Sequence, residues 1–337
     1  MTRTILQERL ISIVKRFPGL RIVVVGDAIA DQFVYGAISR VSREAPVFIL
    51  RHEQTETVPG GAANCAVNLA SMGAAVALIG VAGVDTAGHA LLEKLEAAGV
   101  DCRGLVRADG IQTTTKVQIL AGQLHSTRQQ VIRIDYDGTP LTNNETYSQV
   151  RETALDLSQA ADAIVISDYN YGVAKPDLAE ALRATALAKK CPVLVDSRFE
   201  LSRFRGFTSA TPNEDEVEQL LGGVGNVSDL ETSGERLRED LGYRALLITR
   251  GSHGMVLLEE GVAPLHIAAV GGSEPVDVTG AGDTVMATYS LALAAGASFS
   301  DAAHLANHAG GLVVMKRGTA TITATELEQS IANVEVS

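Results

Sequence analysis

The chain has 337 residues, of which 28 are Lys or Arg and 40 are Asp or Glu, so its formal net charge is −12. Hydrophobic residues make up 46% and charged residues 20%, a balance that excludes a disordered or collagen-like chain. Net acidity argues against nucleic acid as the main ligand, because a phosphate backbone requires a basic surface. Small phosphates are not excluded, since backbone amides or a few local cations can bind them.

Cysteine usage and hydropathy indicate the cellular setting. The three cysteines are odd in number and far apart, which predicts neither a disulfide framework nor a zinc site and favours a reducing, cytoplasmic location. The start of the chain, 1–17, is amphipathic and charged, unlike a signal peptide. Residues 64–84 carry no charge, but Asn, Ser and Gly interrupt them, which favours a buried helix and strand over a membrane span. We therefore expect no membrane contact.

Short apolar runs alternate with helical patterns along most of the chain. Buried parallel strands are predicted at 21–26, 75–81, 162–167, 192–196 and 245–249, and two short strands within 254–270. Helices are predicted at 62–72, 88–98, 145–160, 177–189, 214–221, 230–241, 280–295, 300–316 and 325–333. This alternation predicts an α/β fold in which helices flank both faces of a mostly parallel sheet.

Two stretches interrupt this alternation. Residues 33–51 and 111–137 are rich in β-branched residues and partly alternate between apolar and polar, which predicts antiparallel strands exposed on one face. We expect them to form a small β-sheet lid outside an α/β domain made of 1–32, 52–110 and 138–337. Such a lid could cover the carboxyl edge of the parallel strands, where ligands of α/β proteins bind.

The heptapeptide DVTGAGD at 277–283 precedes a run of small and apolar residues. Gly280 and Gly282 predict a turn that opens directly into a helix, whose free N–H groups attract an anion. Asp283 would lie in the first helical turn, where a carboxylate beside a bound phosphate can take the proton from an attacking hydroxyl. A simple turn, with Asp283 stabilising the helix dipole, explains the heptapeptide equally well.

A second pair of glycines precedes the predicted helix in PGGAANCAVNLASMG, at 59–73. Gly60 and Gly61 permit a close backbone approach, and Asn64 can donate and accept hydrogen bonds toward sugar hydroxyls. An Asn cap on a tightly packed, Ala-rich helix is the alternative interpretation.

Polar side chains also follow other predicted strands. Asp27 and Asp31 come after the first strand, where carboxylates suit sugar diols, although helix capping explains Asp27 equally well. Asn213 and Glu216 are three residues apart at a predicted helix start, so they share a face and can hold a hydrated Mg²⁺. A capping box has the same pattern.

Two motifs about 220 residues apart resemble the signatures of the ribokinase-like (PfkB) carbohydrate kinases. GGAAN, with Ala66, Gly73 and Gly83, fits the amino-terminal signature, and DVTGAGD fits the carboxyl-terminal one, except that Thr288 stands where a smaller residue is usual. The resemblance covers almost the whole chain. It implies a single α/β domain with a β-sheet lid, ATP as co-substrate, Mg²⁺ and a homodimer formed through the lids, and it leaves open a monovalent cation.

Within this family, the segments 26–50, 59–74, 129–137, 166–172 and 210–216 are most similar to kinases of D-glycero-β-D-manno-heptose 7-phosphate. The resemblance therefore implies transfer of the ATP γ-phosphate to the anomeric hydroxyl, giving the 1,7-bisphosphate for ADP-heptose and lipopolysaccharide core synthesis. A kinase of ribose, fructose or fructose phosphate and a non-catalytic sugar- or nucleotide-binding protein are the alternatives. The sequence contains no H-x-G-H motif, so a separate nucleotidyltransferase would act downstream.

The resemblance also implies residue roles. Asp283 would be the base, and the anion hole would consist of Gly280, Ala281 and Gly282. Residues expected along ATP are Asn213, Thr249, Gly251, Gly254 and Asn307, with Asn213 and Glu216 supporting Mg²⁺ through water. Residues expected at the sugar are Asp31, Gly60, Gly61 and Asn64, and those at its 7-phosphate are Arg40, Arg43, Arg128 and Arg133. Any of these arginines could instead be a solvated lid residue.

Two positions depart from the related kinases. Tyr171 stands where a Lys is common, and Asp196-Ser197-Arg198 replaces Asp-Pro-Lys. Arg198 keeps the positive charge, whereas Tyr171 removes one.

Overall fold

The computed structural model describes residues 2–122, 128–138, 141, 143–221, 230–271 and 275–333. Its larger sheet consists of β1 (Arg21–Gly26), β4 (Ala75–Gly83), β5 (Asp101–Ala108), β8 (Ala163–Asp168), β9 (Val193–Ser197), β10 (Ser209–Ala210), β11 (Ala245–Thr249), β12 (Met255–Glu259) and β13 (Leu265–Ile267). The order is β13-β12-β11-β10-β9-β8-β1-β4-β5. Only the two pairings of β12, with β11 and with β13, are antiparallel, so the predicted, mostly parallel sheet is confirmed.

Helices cover both faces of this sheet. They are α1 (Thr2–Val14), α2 (Ala62–Ser71), α3 (Thr86–Ala97), α4 (Asn144–Ser158), α5 (Pro176–Lys189), α6 (Glu214–Leu220), α7 (Leu230–Leu241), α8 (Ala281–Ala294), α9 (Phe299–Val313) and α10 (Ala324–Asn333). In β1, Ile22 and Val24 pack into one apolar cluster with α2 and α8, whereas Val23 and Val25 pack into another with α4 and α5. A strand buried on both faces has no polar side to alternate with, which explains the continuous run of valines.

The uncharged stretch 64–84 divides as predicted, into α2 and the buried strand β4. Within the part of the chain that the structure describes, no helix is long and apolar enough to cross a membrane.

The smaller sheet is formed by β2 (Ala28–Val41), β3 (Phe48–Gly61), β6 (Thr115–Gly122) and β7 (Gln129–Tyr136), in the order β3-β2-β6-β7. Both hairpins are antiparallel, as predicted, but β2 and β6 pair in parallel. Residues 28–32 and 52–61 also belong to this sheet, although the sequence pattern placed them in the main domain. The β2–β3 pairing runs from Ala28 opposite Gly61 to Val41 opposite Phe48, so the hairpin begins inside the main domain.

Two strands of the larger sheet, β5 and the two-residue strand β10, were not anticipated. β5 carries Arg103, Gly104 and Arg107, which break up the apolar run expected of a buried parallel strand. It lies at the edge of the sheet and pairs only with β4, so one of its sides needs no partner strand.

Candidate active site

The carboxyl ends of the parallel strands form the edge at which the candidate residues gather. Asp27 directly follows β1, and β8, β9 and β11 end at Asp168, Ser197 and Thr249. After β10, Asn213 bridges to Thr249. Ligands of open α/β sheets bind at this edge, so the fold independently points to the same region as the motifs.

The predicted glycine turn forms the amino terminus of α8. Gly280 is the N-cap residue, with φ 74°. A Cβ atom here would lie 2.6 Å from Asn64 Nδ2, so both the backbone conformation and the close approach require glycine. Ala281 N–H donates to the Val278 carbonyl at 3.2 Å, whereas a Cβ on Gly282 would meet no atom within 4 Å. The face of the turn at Gly282 is therefore open to a ligand.

Asp283 lies in the first turn of α8 and is only 7% exposed. Its Oδ2 accepts a hydrogen bond from Asn64 Nδ2 at 2.7 Å, and its Oδ1 accepts one from the Tyr169 hydroxyl at 3.4 Å. Burial raises the pKa of Asp283 to about 6, and the charge of Asp31 adds to this, whereas Asn64, Tyr169 and Lys116 lower it. Roughly nine in ten molecules are thus ionised at pH 7, which suits a general base.

A cavity of about 210 Å³ adjoins the glycine turn. Most of its walls are apolar. Its lining includes the candidate nucleotide residues Thr249, Gly251, Gly254 and Asn307 together with Ala281 and Gly282. Asn307 Nδ2 donates to the Ala268 carbonyl at 2.8 Å, which fixes its amide against the neighbouring chain segment. The structure thus brings four of the five predicted nucleotide residues to one cavity with Ala281 and Gly282, whereas Asn213 and Gly280 are not part of its lining.

Carboxylates cluster between α6 and α8. Asn213 and Glu216 form the capping box that the sequence allowed, with Asn213 Oδ1 accepting from Glu216 N–H at 2.9 Å and Glu216 Oε2 accepting from Asn213 N–H at 3.0 Å. Burial raises the pKa of Asp196 well above its ordinary value, and the charges of Asp283 and Glu216 raise it further. Across the described ranges, no group of three or more His, Cys, Asp or Glu residues could hold a metal on its own.

The glycines of the second motif allow the backbone to pack closely against neighbouring residues of the same chain. A Cβ on Gly60 would lie 2.4 Å from Asp31 Oδ2, and one on Gly61 would lie 2.7 Å from the Asp27 carbonyl. Gly61 also has φ 56°. These glycines therefore close the base of the β2–β3 hairpin around Asp31, where the sequence suggested close approach to a ligand.

Lys116 is a residue that the sequence analysis did not single out. It lies on β6 directly opposite Asp31, and its Nζ is 5.2 Å from the centre of the Tyr169 ring. Burial lowers its pKa, whereas the charge of Asp31 raises it. Its position could be found from sequence only with the β2–β6 register, because alternation alone does not say which strand residues face each other.

Of the four candidate arginines, Arg128 and Arg133 lie nearer to the site, and both already have carboxylate partners. Arg133 Nε and Nη2 both donate to Asp135 at 2.7 Å. Asp135 lies directly opposite Lys116 in the register of β6 and β7. Arg128 donates to Glu53 at 2.6 Å and stacks over Tyr35. Arg133 thus lies beside Lys116, while Arg128 lines a wide cavity between the smaller sheet and the segment 276–279.

Arg40 and Arg43 lie at the far end of the β2–β3 hairpin and are exposed. Arg40 is nine residues beyond Asp31 on the same strand, a span of about 30 Å at the usual rise of a β-strand. Within this chain the structure therefore does not bring these two arginines to Asp283.

Asp27 holds the loop that carries Tyr169. Its carboxylate accepts hydrogen bonds from the backbone N–H groups of Tyr169 at 2.8 Å, Tyr171 at 3.1 Å and Val173 at 3.3 Å. The Tyr171 hydroxyl donates to Asp137 at 3.1 Å, just beyond β7. Asp27 thus positions Tyr169 against Asp283 and caps a loop, where the sequence offered sugar contact or helix capping.

The chain shares its fold with solved sugar kinases. It superimposes on ribokinase from Arabidopsis thaliana, complexed with ribose and ATP, with a TM-score of 0.72 at 20% identity, covering 93% of this chain and 99% of that one. For phosphofructokinase-2 from Escherichia coli in complex with potassium, the TM-score is 0.75 at 19% identity, covering 93% and 98%. At these identities the comparison establishes the ribokinase-like fold.

Sequence similarity is higher to longer proteins. The chain is 41% identical over 317 residues to the bifunctional protein HldE of Pseudomonas paraeruginosa and 39% identical over 321 residues to that of Hahella chejuensis. These matches cover 94% of the chain but only 64% of either relative. The model of the pfkB family carbohydrate kinases matches residues 20–326. On this match, together with the fold and the two glycine motifs, the chain belongs to the pfkB family of carbohydrate kinases.

Proposed function

We propose that the protein is a cytoplasmic, ATP-dependent kinase of D-glycero-β-D-manno-heptose 7-phosphate that phosphorylates the anomeric hydroxyl. The observation that carries this proposal is the position of Asp283, a buried and largely ionised carboxylate beside the open glycine turn of α8. A pure binding protein has no use for a base at that place. The similarity to bifunctional HldE proteins supports the choice of a heptose phosphate.

In the proposed reaction, Asp283 takes the proton of the sugar hydroxyl as that oxygen attacks the γ-phosphorus in line with the leaving ADP oxygen. The amino terminus of α8 at Gly282 faces the phosphoryl oxygens, where N–H groups and the helix dipole stabilise the developing negative charge. The lid formed by β2, β3, β6 and β7 would exclude water, so that ATP is not lost to hydrolysis.

Mg²⁺ would bind between Glu216, Asp196 and the ATP phosphates. Burial raises the pKa values of Asp196 and Glu216, and the charge of Glu216 raises that of Asp196 further, so a cation between them would stabilise both carboxylates. Mg²⁺ is usually held by few carboxylates with several waters. The metal would supply charge neutralisation at the phosphates. A monovalent cation near the glycine turn stays a prediction from the family resemblance.

The 7-phosphate would bind at Lys116, Arg133 and Arg198. The charges of Arg133 and Arg198 both act on the pKa of Lys116, so the three cations face one region of the cleft. Lys116 has no ion-pair partner within the described residues, and its side chain is half-buried. A phosphate dianion would supply a countercharge to these three cations.

A homodimer through the lids is supported by the outer face of the smaller sheet. Val34, Ile119 and Ile132 are direct neighbours across β2, β6 and β7, and Ile134 follows on the same face. Ile132 is 51% and Ile134 38% exposed. A contiguous apolar face on a sheet of this kind is typical of a protein–protein interface.

Replacing Asp283 by Asn should abolish turnover while ATP still binds, because the amide keeps the size of the side chain but cannot accept the proton. We expect kcat to fall by a factor of roughly 100 or more. ADP release with heptose 7-phosphate and isothermal titration with ATP measure the two effects. Near wild-type turnover would rule out Asp283 as the base.

The same substitution should stabilise the protein above pH 6. The pKa of Asp283 in the folded state is about 6, above the ordinary 3.8, so ionising this carboxyl group destabilises the folded protein. The stability of the wild type is therefore fully present below about pH 4 and is partly lost as the pH rises through 6. About two units correspond to roughly 3 kcal/mol at pH 7.5. Urea unfolding at pH 4.5 and 7.5 measures this gain, with Asp109→Asn in an exposed turn as the control. An equal gain at both pH values would contradict the shift.

Replacing Lys116 by Met should raise the KM for heptose 7-phosphate by about 10- to 100-fold, the usual contribution of a hydrogen bond to a charged group. The KM for the unphosphorylated heptose should change little. Lys94→Met, in the exposed last turn of α3, is the matched control. An equal rise with both sugars would exclude Lys116 from phosphate recognition, and a wild-type preference for a pentose or fructose in the same assay would overturn the proposed substrate.

A further inference from the structure

A chain of buried side-chain hydrogen bonds joins α2 to α8 behind Asp283. Asn64 donates to Asp283, Asn68 Nδ2 lies 3.0 Å from Asn64 Oδ1, and Thr284 Oγ1 lies 2.9 Å from Asn68 Oδ1. Asn68 and Thr284 are completely buried, and Asn64 is 2% exposed. Resting on the kinase function proposed above, we propose that Asn68 is a positioning residue that keeps the Asn64 amide donating to the base.

The orientation of the Asn68 amide is set by a backbone carbonyl. Asn68 Nδ2 also donates to the main-chain oxygen of Asn64 at 3.0 Å. That oxygen can only accept, so the nitrogen of Asn68 must face Asn64 and its oxygen must face Thr284. Thr284 Oγ1 completes the arrangement by donating toward Asn68, with the Gly280 carbonyl as its second neighbour at 3.2 Å.

The orientation of Asn64 follows from that of Asn68. With an N–H group of Asn68 beside it, the Asn64 oxygen has its donor, and the Asn64 nitrogen is left pointing at Asp283 Oδ2. The reverse orientation would place two nitrogen groups together at Asn68 and an amide oxygen against the carboxylate. In a buried site both arrangements are strongly unfavourable, since unmatched polar groups there have no water to turn to. Asn68 therefore fixes the orientation of the Asn64 amide, and Asn64 in turn contacts the base.

The groups around Asp283 make this bond important for its ionisation. Asp31 on β2 and Asp196 on β9 carry the same charge as Asp283, and Cys65 on α2 is fully buried. Lys116 on β6 is the cation to which the pKa of Asp283 responds. Arg198 acts on Asp196 from the other side. Within the described residues, the Asp283 carboxylate accepts hydrogen bonds from Asn64 and Tyr169, and that from Asn64 is the shorter. Asn64 thus supplies the main hydrogen bond that favours the ionised base.

The experiment compares Asn68→Leu with Thr288→Val. Leu branches at Cγ as Asn does, although it is larger, and it has no donor for Asn64. Thr288 is equally buried at the same α2–α8 interface, one turn beyond Thr284. Its hydroxyl donates to the main-chain carbonyl of Thr284 and contacts Met72 Sδ, and the hydrogen bonds described for it involve no side chain of the network. Thr288→Val therefore controls for a polar-to-apolar change in this packing. ATP binding and the melting temperature are measured for both variants.

For Asn68→Leu we expect the acid limb of the kcat–pH profile to move upward by about one unit, as expected for losing a hydrogen bond to the charged form of a carboxyl group. Thr288→Val should leave the midpoint in place, whatever it does to the melting temperature. A loss of activity in Asn68→Leu without a shifted midpoint, or an equal shift in both variants, would show a merely structural role and overturn the proposal.

A carbon-13 NMR titration of the Asp283 carboxyl, identified by its absence in Asp283→Asn, separates this inference from the kinase function. A higher carboxyl pKa in Asn68→Leu supports the positioning role even if no sugar is phosphorylated by the wild type. If Asn68→Leu does not fold, the wild type decides: the Asn64 side-chain N–H signals should titrate with the same midpoint as Asp283. Signals of Asn64 that do not respond would overturn the proposal.

Discussion

The site depends on keeping one carboxylate ionised in a place where burial opposes ionisation. Desolvation is the largest influence on Asp283 and favours its protonated form by raising its pKa. Asn64, Tyr169 and Lys116 oppose it from three different elements, α2, the loop after β8 and the lid strand β6. The balance places the pKa of Asp283 near 6, high enough for a useful proton acceptor and low enough for ionisation at pH 7. The lid is therefore part of the electrostatics of the base as well as a cover.

Packing of α2 against α8 explains why two distant motifs belong together. Asn64 and Asp283 are 219 positions apart, yet their side chains share a hydrogen bond, and Gly280 leaves room for that contact because it has no Cβ. A side chain at 280 would push Asn64 away from the carboxylate. The glycine of one motif and the asparagine of the other thus fit the same space, so neither motif alone carries the chemistry.

Periodicity predicted the central sheet and most helix limits because strands buried on both faces and amphipathic helices have strong local patterns. The strand β5 was missed because its arginines and glycine interrupt the apolar run at a sheet edge. Among site residues, Asp283 and the glycine turn follow from local sequence, since a turn and its helix are local structures. Lys116 and the remoteness of Arg40 depend on the register of four lid strands, which local sequence does not determine.

The lid is attached to the site through the residues that would contact the sugar. β2 leaves the main domain at Ala28, next to Asp27, and β3 returns at Gly61, where α2 begins. Burial falls along the hairpin, from completely enclosed residues at this base to exposed ones at 39–47. Any movement of the lid must therefore pivot near Asp31 and Gly60 while the distant end travels further. Lys116 lies directly opposite Asp31 across the sheet, so the lid strands carry two charges that act on the base in opposite directions, with Asp31 raising the pKa of Asp283 and Lys116 lowering it.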